Sequence, residues 1–205
     1  MDYKDSALKS LSGKWGLCAL MTLAFVIIYA VPVLLIDELI PMQKSYHGNF
    51  SWGDLWQIPM IPLAWGMDVV FLSIAQNEKV RFRNLFDGFQ QYGRIFWTVA
   101  SRDLFVGLWT LLLIIPGIIK SYSYAMTYFI LKDTDLSYND AIDYSLKLMD
   151  GHKGELFLLD LSFVGWFILS IMTLGIGFLF SYPYWMTARA HFYEHIKESE
   201  YNIHI

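Results

Sequence analysis

Four charged residues stand inside strongly apolar stretches of this chain: Asp68, the adjacent Arg102 and Asp103, and Asp160. Charge in such surroundings is costly unless it is paired, so these positions are the first candidates for function. Carboxylates there could take up and release a proton, and together with a guanidinium they could hold an ion or a small polar ligand. Counted inward from Gln76, Arg94 and Gly154 at about 1.5 Å per residue, Asp68 and Arg102 lie about 12 Å deep and Asp160 about 9 Å deep. The shared depth predicts one polar cluster, with Arg102 paired to Asp68 or Asp160. A structural alternative stands beside it, in which the charges only fix helix register or reach toward a nearby surface.

Other chemistry finds little support. His191, Glu194 and His195 match the spacing of one metalloprotease string, but zinc needs a further protein ligand and only ten residues follow His195. No Ser/His/Asp set, glycine-rich phosphate loop or paired-cysteine motif is present; Cys18 is the single cysteine. The basic residues are scattered and form no nucleic-acid surface. The expectation is a protein without a catalytic set, metal or cofactor.

The elements that must position these charges are apolar helices. The chain has 205 residues, 56% hydrophobic and only 17% charged, and its mean hydropathy is +0.39. That is too apolar for a water-soluble domain of this size. Apolar runs occupy Trp15–Ile36, Leu55–Ala75, Ile95–Ile119, Tyr122–Leu131, Leu156–Leu174 and Ile176–Ala190. A span needs about 20 residues, so the runs predict an all-α, polytopic membrane bundle of about six transmembrane helices, the fourth and sixth borrowing residues from preceding turns. Of the fifteen Lys and Arg, twelve fall on one side of that layout; Lys44 and Lys120 lie opposite and Arg102 lies within a helix. The positive-inside bias then places both termini in the cytoplasm. The first run is too long for a signal peptide and lacks a small-residue cleavage site, so it is expected to remain as an anchor.

Gly117–Thr127 recurs sixty positions later as Gly177–Thr187, with six of eleven residues identical. A repeat at fixed spacing indicates a duplicated unit, read here as a short cytoplasmic amphipathic helix followed by a two-helix hairpin. Phe82–Tyr92 places Leu85, Phe86, Phe89 and Tyr92 on one helical face, and Tyr138–Met149 does the same with Ala141, Ile142, Ser145, Leu148 and Met149; Ser137 is the expected N-cap of the second. With a weaker copy at the front, the single domain 1–205 divides into units 5–76, 80–135 and 137–197 in parallel arrangement. Pro116 and Gly117 mark one hairpin turn, and Gly175 and Gly177 another. Neither turn has a polar loop, so both are expected to be buried against protein or to lie at the interface. The outer loop Asp37–Asp54 is expected to rest on the membrane surface through Phe50, Trp52, Leu55 and Trp56. Tyr122 and Tyr182 fit an aromatic belt, while Ser121, Tyr124, Ser181 and Tyr184 are expected to pack one hairpin on the next.

These residues also carry a resemblance. Leu108–Tyr124, Ala141-Ile142 with Ser145, Met149–Lys153, Leu161–Trp166, Thr173–Gly177, Pro183-Tyr184 and Phe192-Tyr193 resemble the domain-of-unknown-function 975 family, over about half the chain. The resemblance implies a multi-spanning protein of a bacterial cytoplasmic membrane and brings no established activity or site residues. The layout is more distantly similar to the membrane region preceding some glycerophosphodiester phosphodiesterase domains, whose catalytic domain has no counterpart here. The expected function is a non-enzymatic membrane scaffold or accessory protein handling lipid or peptide. The alternative is a small transporter or channel using the charge cluster. Expected partners are membrane lipids and a membrane protein complex or a second copy of the chain.

Overall fold

A computed structural model describes residues 2–39 and 52–203, and these are all-helical with no strand. The expected outer loop falls mostly outside the described residues. In chain order the helices are α1 (Tyr3–Leu11), α2 (Trp15–Leu39), α3 (Trp52–Gln57), α4 (Ile61–Ala75), a 3₁₀ helix (Phe82–Gln91), α5 (Tyr92–Leu112), α6 (Ile114–Ser123), α7 (Thr127–Asp133), α8 (Tyr138–Leu148), α9 (Lys153–Leu161), α10 (Val164–Met172) and α11 (Phe178–Ile203).

Two helical stretches among the described residues are long and apolar enough to cross a bilayer: Trp15–Ile36, with a mean hydropathy of 2.7, and Lys153–Met172, at 1.8. By length and composition, two of the six expected spans are shown. The run Leu55–Ala75 breaks between α3 and α4, leaving 15 residues in α4, and Ile95–Ile119 breaks at Leu113, whose backbone is extended. The run through Tyr122 breaks between α6 and α7. Few residues of either candidate span are buried in protein, unlike the core helix of a water-soluble domain. Large apolar side chains of α2, α5, α6, α10 and α11 are exposed with them, Leu111 at 86%, as is Leu174 between α10 and α11 at 95%. So large an apolar surface needs a partner, and hydrocarbon suits it.

Prolines and breaks free carbonyls, and side chains take them up. Pro32 has no N–H to give the carbonyl four residues earlier; that carbonyl, on Ile28, accepts Trp56 Nε1 at 3.2 Å. Pro62 likewise has no N–H for Ile58 O, which accepts Ile61 N at 3.3 Å and the Tyr92 hydroxyl at 3.2 Å. Where α6 stops, Ser123 O accepts Ser145 Oγ from α8 at 2.9 Å. These bonds tie each break to a neighbouring element.

The three short helices dock in a common way. The 3₁₀ helix lies on α4, α8 on α7, and α1 on α11. Ser137 caps α8, accepting Asp140 N at 3.4 Å, and the expected Ala141, Ile142, Ser145, Leu148 and Met149 are buried. Phe82–Gln91 corrects its expectation, since it winds with three residues per turn. Leu85 and Gly88 therefore face inward, while Phe86 and Phe89 are exposed. The approach is so close that a Cβ on Gly66 would sit 2.2 Å from Leu85 O and one on Gly88 2.4 Å from Pro62 O.

The hairpin tips differ from expectation as well. Reversal between α5 and α6 occurs at Leu113, so Pro116 and Gly117 lie in the first turn of α6, where a missing N–H is tolerated. Gly117 serves contact, since its Cβ would meet Thr110 Cα at 2.7 Å; sixty residues on, Gly177 would meet Ser170 Cα at 2.6 Å. Gly175, at φ +89°, follows Leu174 at φ +53° in the second tip. Neither tip is buried against protein. Each instead satisfies its own backbone, with Leu113 N on Trp109 O, Gly175 N on Ser170 O and Gly177 N on Thr173 Oγ1, which lets apolar side chains point outward without loose polar groups.

Candidate functional site

The second arms of the hairpins converge at one end through a polar clasp. Gln76 Nε2, beyond α4, donates to Glu194 Oε1 at 2.8 Å and to Asp133 Oδ1 at 3.1 Å. Asp133 also accepts the Tyr193 hydroxyl at 3.2 Å and Lys197 Nζ at 2.5 Å. Lys132 donates to Gln76 and to Glu78, the latter at 3.0 Å, and Arg94 bonds Leu136 O at 2.9 Å and also Thr134 O. Burial raises the Glu78 pKa, but its bonds to Ser73 and Lys132 and the Lys132 charge outweigh this and leave it below the ordinary value.

Arg189, five residues before Glu194, lies about 7.5 Å deeper along α11, beside a partly open cavity of about 240 Å³ bounded by α4, α5, α6, α7, α9 and α11. Asp68, Arg102 and Asp160 all line it, together with Arg189. The structure thus brings three of the four sequence candidates into one site. Asp103 is the exception: its side chain is 62% exposed and does not line the cavity.

The pairing differs from expectation. Arg102 forms an ion pair with neither Asp68 nor Asp160; its carboxylate neighbour is Asp103, at 3.9 Å. Asp68 Oδ1 accepts the Tyr182 hydroxyl at 2.9 Å, and Asp160 Oδ1 accepts Trp185 Nε1 at 2.7 Å with Arg189 Nε 3.5 Å away. Each carboxylate accepts a hydrogen bond from a neutral donor, and Asp160 is in addition ion-paired with Arg189. Each guanidinium lies against an aromatic ring, Arg102 4.8 Å from the Tyr128 centroid and Arg189 4.8 Å from that of Trp185, which stabilises the cation without using its N–H groups. Arg102 Nε and Arg189 Nε are buried with no hydrogen-bond partner.

Sequence reasoning missed Arg189 because the last apolar run ends at Ala190, which made Arg189 look like part of the cationic rim. Helix α11 continues to Ile203, so Arg189 sits in mid-helix. It likewise assigned Tyr122 and Tyr182 to an aromatic belt. Instead Tyr182 reaches Asp68 and Tyr122 lines the same cavity within reach of Asp160; their place in the repeat was the available signal.

The packing candidates divide. Ser181 Oγ meets Ser170 Oγ at 2.8 Å, and Tyr184 stands edge-on to Phe163 at 4.9 Å, so both join α11 to the α9–α10 arm. Tyr124 is buried near Phe105 across the α5–α6 hairpin. Ser121 lines the cavity and donates to Ile118 O in its own helix. The histidines of the metalloprotease-like string serve the α1 contact: His191 Nε2 is 2.9 Å from Ser10 Oγ, and His195 Nδ1 is 3.0 Å from the Tyr3 hydroxyl. Among the described residues no group of three His, Cys, Asp or Glu is placed to share a metal ion. The cavity offers unspent donors beside half-used carboxylates, an arrangement suited to holding a polar molecule.

No curated protein and no solved structure matches the chain. Residues 104–200, from mid-α5 through most of α11, match the model of a family described as protein of unknown function (DUF975), and it is this family that the chain resembles.

Proposed function

We propose that the protein is a non-enzymatic scaffold or accessory protein of a bacterial cytoplasmic membrane that holds a lipid by its polar headgroup. In this reading residues 1–205 form one integral membrane domain of three parallel units, 5–76, 80–135 and 137–197. Each unit is an amphipathic helix followed by a hairpin, giving six membrane-embedded arms with both termini in the cytoplasm. The common docking of the short helices on α4, α7 and α11 supports the three-unit reading. The gathering of Arg94, Lys132 and Lys197 at one end supports the orientation.

One observation carries the function: a cavity lined by two arginines and two aspartates within a bundle whose outer surface is apolar. Such a site can admit a headgroup while acyl chains stay against exposed helices. The test is mass spectrometry of lipid retained after purification in mild detergent. The parent should retain a phospholipid that a protein carrying both Arg102→Gln and Arg189→Gln loses; a parent with no retained lipid contradicts the reading.

A second reading, a small transporter or channel, draws on the same intramembrane charges. Proton-linked flux in reconstituted vesicles that disappears with Asp68→Asn and Asp160→Asn would put it ahead.

A further inference from the structure

The charges in the cavity specify more than a generic headgroup. We infer that the site takes a zwitterion bearing an oxyanion and a primary ammonium, the oxyanion on Arg102 and Arg189 and the ammonium on Asp68 and Asp160. This rests on the headgroup-holding reading and names its ligand class.

Three observations converge. First, the charged residues of the lining are two arginines and two aspartates, so a ligand without net charge preserves the balance, whereas a net anion or cation leaves an uncompensated charge inside an apolar bundle. Second, the arginines have donors to spend. Arg102 Nε and Arg189 Nε are buried and make no hydrogen bond, Arg189 Nε standing 3.5 Å from Asp160 Oδ1, and the rings of Tyr128 and Trp185 hold the two guanidiniums by their faces. A planar guanidinium fork matches a phosphate or carboxylate edge. Third, the carboxylates have acceptors to spend: Asp68 uses Oδ1 for Tyr182, and Asp160 uses the same Oδ1 for Trp185 and for its ion pair with Arg189. A carboxylate offers about four lone-pair sites and an ammonium three donors, so one ammonium can bridge two carboxylates. A quaternary ammonium has no N–H to give and satisfies only the charge.

An ethanolamine phospholipid and a free zwitterion such as phosphoethanolamine share this chemistry. The experiment is a binding comparison by native mass spectrometry on the full-length protein, with phosphatidylethanolamine, phosphatidylcholine, phosphatidylglycerol and free phosphoethanolamine as probes. The parent should hold the ethanolamine lipid at least about tenfold more tightly than the choline or glycerol lipid, the scale of one charge-assisted hydrogen bond. Arg102→Gln and Asp160→Asn should each remove that preference, with helix content by circular dichroism as the folding control, and Lys120→Gln, outside the cavity, should keep it. Equal binding of free phosphoethanolamine assigns the site to the soluble zwitterion; binding of the lipid alone assigns it to the headgroup. Phosphatidylcholine or phosphatidylglycerol bound as tightly as phosphatidylethanolamine overturns the zwitterion assignment and leaves headgroup holding intact. No binding of any lipid or of phosphoethanolamine overturns both.

Discussion

Gly177→Ala should destabilise the protein through backbone contact that neighbouring side chains cannot relieve. The added methyl would stand 2.6 Å from Ser170 Cα and 2.8 Å from Ser170 Oγ. The first of these is a main-chain atom, so α10 and α11 must move apart. Overpacking of this kind costs about 1–3 kcal/mol. Gly177 precedes α11, so alanine returns no helix propensity there. At about 2–4 °C per kcal/mol for a chain of this size, the melting temperature in detergent should fall by about 2–12 °C. Gly117→Ala repeats the test in the other hairpin, with Thr110 Cα at 2.7 Å. Gly117 lies within α6, so alanine recovers about 1 kcal/mol of helix propensity and the net loss is smaller. Thermal unfolding followed by circular dichroism gives the readout. The decisive variant combines Gly177→Ala with Ser170→Ala, which removes the hydroxyl but leaves Cα in place, so no stability should return beyond the cost of Ser170→Ala alone. A Gly177→Ala protein as stable as its parent, or one rescued by Ser170→Ala, would refute close backbone approach as the reason for these glycines.

Gly175→Ala should also lower stability, by about 1–2 kcal/mol, through left-handed backbone strain alone, because φ is +89° and nothing lies within 4 Å of the added methyl; an unchanged melting temperature contradicts this. Asp133→Ala should cost about 1.5–3 kcal/mol, the range for hydrogen bonds to a charged group, since it strips partners from Gln76, Tyr193 and Lys197 at once; chemical unfolding checks it. His191 has its pKa held below the ordinary histidine value by burial, against a smaller opposing contribution from the Ser6 backbone. Because the unfolded chain then binds the proton more readily, its contribution to stability should be complete above the ordinary histidine pKa and be lost as pH falls from that value through the lowered folded-state one. Melting curves across pH should show this slope in the parent and a reduced one in His191→Gln.

The sequence made the helical class and the depth of the charges legible because both follow from local pattern. Asp68, Arg102 and Asp160 share a cavity since each sits a similar number of residues from a polar helix end, and that number survives folding. Arg189 was not legible, because the apolar run stops beside it while the helix continues for another turn and more on polar residues. Pairing was hidden for a different reason: Tyr182 and Trp185 reach aspartates 114 and 25 residues away, and no periodicity encodes such contacts. The inward turn of Leu85 and Gly88 goes with the close approach of Gly66 to Leu85 and of Gly88 to Pro62 across two elements, which lies beyond any single helical wheel. The repeated glycine seven residues after Thr110 and after Ser170 could have been read as a close approach rather than a turn, since both copies put a small hydroxyl residue at that spacing.

Membrane embedding of all three hairpins from one face underlies the headgroup-holding account, and labelling of single cysteines tests it most directly. With Cys18 replaced by Ala, cysteines introduced at Lys79 and Lys153 should resist a membrane-impermeant maleimide in intact cells and react once the membrane is opened, while one at Leu174 should stay slow in both because its tip contacts hydrocarbon. Labelling of Lys79 and Lys153 from opposite faces, or fast labelling of all three in intact cells, would contradict the account.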